Sequence, residues 1–243
     1  MGGIFNLDSP LMRGLGKMAD LMILNLIAMI CCIPIITAGA SLTALNYMSL
    51  KIVRGEECYI IKGFFKSFKE NLKQATAIWL LLLLAILILV GDFYIMQNSG
   101  MEFHVALKVI IAVVGVIIIF TAMYVFPVLA KFDNTIKRTV KNAFIMSILQ
   151  FPKTILMIIL YLIPPVVGLL FYQAVPVVFM FGLSVPAWLS AMLYNKFFQK
   201  LEDQVIAATE PAEGEEAEEG EEDERIFKDE LDEALVNSQL EQK

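Results

Sequence analysis

One stretch constrains this chain more than any other: KGFFKSFKENLKQATAIWLLLLLAILILVG, Lys62 to Gly91, in which a lysine-rich segment runs without a break into an uncharged one. Wound as a helix at about 100° per residue, it carries Lys62, Lys66, Lys69 and Lys73 on one stripe and Phe64, Phe65, Phe68 and Leu72 on another. From about Ala75 to Val90 no residue is charged, and Trp79 stands near the polar end, where an interfacial aromatic belongs. About 20 helical residues at ~1.5 Å each cross the ~30 Å hydrocarbon layer. The join predicts where the membrane surface lies and makes the lysine-bearing side the cytoplasmic one.

Composition enters as support. With 58% hydrophobic residues and a mean hydropathy of +0.70, the chain is more apolar than a soluble core can absorb. The net charge of −6 conceals two opposite parts. Residues 1–201 hold 16 Lys+Arg against 8 Asp+Glu, whereas 202–243 hold 3 against 17, so the acidic character belongs to the tail alone. The expected division is a multi-pass membrane domain over 1–201 and an acidic, largely disordered cytoplasmic tail over 202–243.

The expected class is all-α, a polytopic helical membrane protein of about six spans. A hairpin covers about 10–33 and 37–54, its second arm barely long enough to cross. Further spans cover about 75–94, 105–130, 154–171 and 175–196. Basic residues alternate between the connections: 1–17 carry two, 51–73 six, 131–153 five and 196–200 two, while 34–41, 95–104 and 172–175 carry none. Under the positive-inside rule this places every basic segment and both termini in the cytoplasm of a cell-membrane protein. Five spans result if the first hairpin counts as one. Two basic amphipathic helices, about 60–74 and 131–151, follow TALNYMSLKIVRGEE (from Thr43) and TAMYVFPVLAKFDN (from Thr121), segments of one design. That similarity reads either as an internal duplication or as the common look of helix junctions.

Enzyme signatures are missing from the sequence. It has one histidine, His104, no nucleophile motif, no Walker A loop and no metal-ligand spacing, and Cys31 and Cys32 are adjacent rather than spaced as CxxC. No catalysis, cofactor, metal or nucleic-acid partner is expected. Polar groups at membrane depth are the remaining candidates: Asp20, Asn25, Asn46 and Asp92. Lys17, three positions before Asp20, makes an interfacial ion pair the simplest reading there. Asp92 is expected at the outer interface, and Asn25 and Asn46 are expected to bond across the hairpin. Lys62, Lys66, Lys69, Lys73, Lys137, Arg138 and Lys141 are candidate contacts for anionic headgroups or for a partner, at about 1 kcal/mol per basic residue.

Four blocks together resemble the YesL-like family of Firmicutes membrane proteins: FNLDSPLMRGLGKMADLMILN (Phe5 to Asn25), FFKSFKENLKQATAIW (Phe64 to Trp79), FDNTIKRTVKNAF (Phe132 to Phe144) and PAWLSAMLYNKFFQKLE (Pro186 to Glu202). The resemblance spans nearly all of 1–202 and leaves out the Glu-rich tail. Members are often encoded beside sugar-uptake ABC transporters and sensor kinases, so it implies an accessory or regulatory role in carbohydrate uptake or sensing, with a permease or kinase as partner. The alternative is a small-solute transporter or channel in its own right.

Overall fold

The computed structural model describes residues 10–56, 59–98, 104–132 and 134–209. Most of the acidic tail, from residue 210 on, lies outside them. Eight α-helices carry the described residues: α1 Pro10–Cys32, α2 Ala38–Arg54, α3 Ile60–Asn98, α4 Val105–Lys131, α5 Ile136–Leu149, α6 Phe151–Leu170, α7 Val175–Phe181 and α8 Ser184–Thr209. Short 3₁₀ turns, Ile35–Thr37 and Tyr172–Ala174, precede α2 and α7.

Four helical stretches are long and apolar enough to cross a membrane: Gly14–Cys32, Ile60–Asn98, Val105–Lys131 and Phe151–Leu170. A bent pair, Tyr172–Phe181 with Ser184–Gln204 at 56°, makes a fifth if it is one span. Compared with the six expected, the arm that falls short is α2. Its 17 residues reach about 26 Å at ~1.5 Å each, and twelve of them are buried. Instead of a lipid-facing span, α2 is a central helix packed by α1, α3, α4 and α8.

Small residues allow that position. A Cβ on Gly39 would lie 2.5 Å from Trp79 Cβ and 2.6 Å from the Ala75 carbonyl oxygen, so α2 meets α3 backbone to backbone. Nearer the other end of α2, Met48 touches Gly63. The two helices are therefore antiparallel, and α2 lies beside the lysine-bearing half of α3. Gly55 ends α2 at φ 72°, in the left-handed region that only glycine enters freely; its N–H bonds the Ile52 and Lys51 carbonyls.

The lysine-rich and uncharged segments form one continuous helix, α3, of 39 residues. Its buried stripe is Ile60, Phe64, Ser67, Asn71, Ala75, Ile78 and Leu82, at the three- and four-residue spacing of one helix face. Phe65, expected on the apolar stripe, is 40% exposed, while the polar Ser67 and Asn71 are buried. Past Leu82 the character changes: no residue of Leu83–Asn98 or Val105–Phe120 is buried. These two stretches form an apolar arm, with Gly115 facing Leu89.

Where α3 is unbroken, the second basic stretch and the apolar stretch after it are divided at Gln150 into α5 and α6, with Pro152 in the first turn of α6. The expected second basic helix is α5, and it packs along α4. An aromatic cluster joins α4 to α8: Tyr124 and Tyr194 ring centroids lie 6.5 Å apart, Tyr194 and Phe198 4.7 Å, and Phe132 and Phe198 5.3 Å. Helix α8 continues through Glu202 to Thr209, so the first part of the segment assigned to the tail is helical.

Candidate functional site

The first buried polar centre is the break between α7 and α8. A bend of 56° leaves backbone groups without helical partners, and Asn25, fully buried on α1, supplies them. Its Oδ1 accepts from Leu183 N–H at 2.8 Å and Ser184 N–H at 2.9 Å, and its Nδ2 donates to the Phe179 carbonyl at 2.8 Å. The expectation that Asn25 bonds Asn46 across the hairpin is therefore corrected. Asn46 donates to Leu42 O and accepts from Tyr194 Oη at 3.4 Å, and among the described residues the hairpin is crossed by Ser41 Oγ to Ala28 O and Thr37 Oγ1 to Cys31 O, both 2.8 Å. The physical reason is that a broken helix presents several orphan groups at one place, which a single carboxamide satisfies.

A second centre was not foreseen. At the C-terminal end of α2, Arg54 holds Glu202 of α8 through two bonds, 3.0 and 2.6 Å, and its Nε donates to Asn195 Oδ1 at 2.9 Å. Lys131, the last residue of α4, lies 3.7 Å from the same carboxylate. All three charged side chains are largely covered, at 11%, 13% and 15% exposure. The fork of the guanidinium matches a carboxylate in a way lysine cannot.

The basic rows are surface features. Lys62, Lys66, Lys69 and Lys73 are exposed along α3, as are Lys137 and Lys141 on α5, while Arg138 is half-buried. Asp92 is half-buried on the apolar arm, near the end of α3. His104 caps α4, its Nδ1 accepting from Ala106 N–H at 3.3 Å.

Asp20 and Lys17 share the wall of an open pocket of about 550 Å³, closed on its other side by Ile52, Gly55, Glu56, Tyr59 and Ile60. Lys17 also borders a second, almost wholly apolar groove of about 620 Å³ formed by α1, α6, α7 and α8. Burial of Asn25, the knot at Glu202 and the double role of Lys17 all depend on contacts remote in sequence. Only the residue types were signals, namely an amide inside an apolar run and an Arg-Gly helix end.

The described residues define an all-helical protein with several helices able to cross a membrane. Residues 21–93, from α1 through most of α3, match the family described as "Protein of unknown function, DUF624". No curated protein and no solved structure matches the chain.

Proposed function

We propose that this is a multi-pass protein of the cell membrane acting as an accessory or regulatory partner, with both termini and the lysine rows on the cytoplasmic side. One observation carries the reading: a single helix, α3, joins an exposed row of four lysines to an exposed apolar arm. Such a helix anchors in lipid by one half and offers charge to a polar partner or to anionic headgroups by the other. The carbohydrate-uptake setting, with an ABC permease or sensor kinase as partner, rests on the family resemblance drawn from the sequence.

A transporter is the second reading, favoured by the broken helix at α7–α8, since discontinuous helices often carry transport sites. Its rank is lower because the orphan backbone groups named at that break are already bonded by Asn25. Crosslinking in native membranes followed by affinity purification separates the two. Recovery of a permease or kinase, lost when Lys66 and Lys69 become Gln, is the expected result. Solute movement by the purified protein alone in vesicles would overturn it.

A further inference from the structure

The two cavities beside α1 differ in chemistry and meet at one side chain. On the groove side the wall is hydrocarbon, including Met18, Leu21, Leu160, Pro164 and Val178. Trp188 also lines it, and its indole N–H is buried without a hydrogen-bond partner among the described residues. On the pocket side are Asp20, Glu56 and Tyr59. Lys17 borders both, in the first turn of the α1 stretch able to cross a membrane. A lysine at such a level reaches the headgroup layer while its stem stays in hydrocarbon.

From this juxtaposition we propose that the Lys17 junction binds a phospholipid carrying a primary amine in its headgroup. One acyl chain fills the groove, the phosphate pairs with the Lys17 ammonium, and the headgroup amine turns into the pocket toward Asp20. Charge decides the occupant. A purely anionic headgroup would meet two carboxylates beyond Lys17, whereas a zwitterion presents a cation there. Glu56 is 3.8 Å from Lys51 and is partly neutralised by it, which makes Asp20 the principal acid facing the amine. A sugar fits poorly, because the groove offers it almost no polar wall. The inference rests on the membrane placement of α1 and α6 and is independent of the accessory-partner reading.

The test is native mass spectrometry of the full-length protein in mild detergent, offered dioleoyl phosphatidylethanolamine, dioleoyl phosphatidylglycerol or dioleoylglycerol. Retention should fall in that order. Lys17→Gln should lower phosphatidylethanolamine retention about fivefold, and Lys17→Arg should keep it. Asp20→Asn should remove the preference over phosphatidylglycerol without weakening the latter. Gly14 lines the groove and has nothing within 4 Å of a built Cβ, so Gly14→Phe should fill the space without disturbing the fold and lower retention of all three. Circular dichroism checks the helicity of each variant. Equal retention of the two phospholipids by the unaltered protein would overturn the proposal. So would unchanged phosphatidylethanolamine retention in both Lys17→Gln and Gly14→Phe, the outcome for ordinary surrounding lipid.

Discussion

Helix α2 and the first part of α4 reverse the pattern of a water-soluble protein. Twelve residues of α2 are buried, among them Ser41, Thr43, Asn46 and Ser49. In contrast, Val105–Phe120 contains almost nothing but aliphatic side chains and buries none of them. In water the exposed Val, Ile and Leu of α4 would be costly and the polar residues of α2 would turn outward. In lipid the apolar surface is already solvated, so helices associate through close packing of small residues and through hydrogen bonds. Gly39 against Ala75 and Ser41 against the Ala28 carbonyl are both.

The largest expected effect is at the far end of α2. Arg54→Met leaves the Glu202 carboxylate covered with Lys131 as its remaining charged neighbour, and should cost about 3–5 kcal/mol in a thermal or denaturant unfolding series. The double variant Arg54→Met with Glu202→Leu should recover most of that loss; a double variant no better than the single would mean that the knot does more than neutralise Glu202. Next comes the pair that sharpens the contrast most. Gly39→Leu drives a side chain into α3 and should cost about 3 kcal/mol, whereas Gly115→Leu, whose Cβ meets only Leu89 Cδ1 at 3.8 Å, should stay within ~0.5 kcal/mol. Equal losses at the two glycines would remove the distinction between interior and arm.

Asn25→Ala should cost about 2 kcal/mol by leaving buried N–H groups at the start of α8 without an acceptor. Hydrogen exchange at Leu183 and Ser184 should rise in that variant and not in one altered on the arm. The smallest effect is expected on α3, where Lys66→Gln and Lys69→Gln should each change stability by no more than ~0.5 kcal/mol, the side chains being exposed. A large loss there would show that the lysine row is structural.

How much of this was legible depends on range. The continuous helix of basic and apolar halves, the helix end near 54 and the stretches near 105–130 and 154–171 follow from local periodicity, charge and Gly or Pro placement, and they fold as read. Burial of α2 on nearly all sides did not follow, because Ser41, Thr43, Asn46 and Ser49 read locally as a polar side, and only its neighbours in the fold cover them. The break at Gly182–Leu183 does carry local marks, Gly182 at one helix end and Ser184 with Pro186 at the next helix start, but what stabilises the bend is Asn25, more than 150 positions earlier. Arg54 with Glu202 is equally remote, and charge counting alone places that glutamate with the tail.

The central claim is that lipid covers the arm while α2 is shielded by protein. A nitroxide label at residue 113, 52% exposed as Val113, tests it in reconstituted membranes, with Cys31, Cys32 and Cys58 replaced by Ala. The account predicts strong relaxation by oxygen, which concentrates in hydrocarbon, and little by a water-soluble nickel chelate. Stronger relaxation by nickel than by oxygen would place the arm in water and contradict the account.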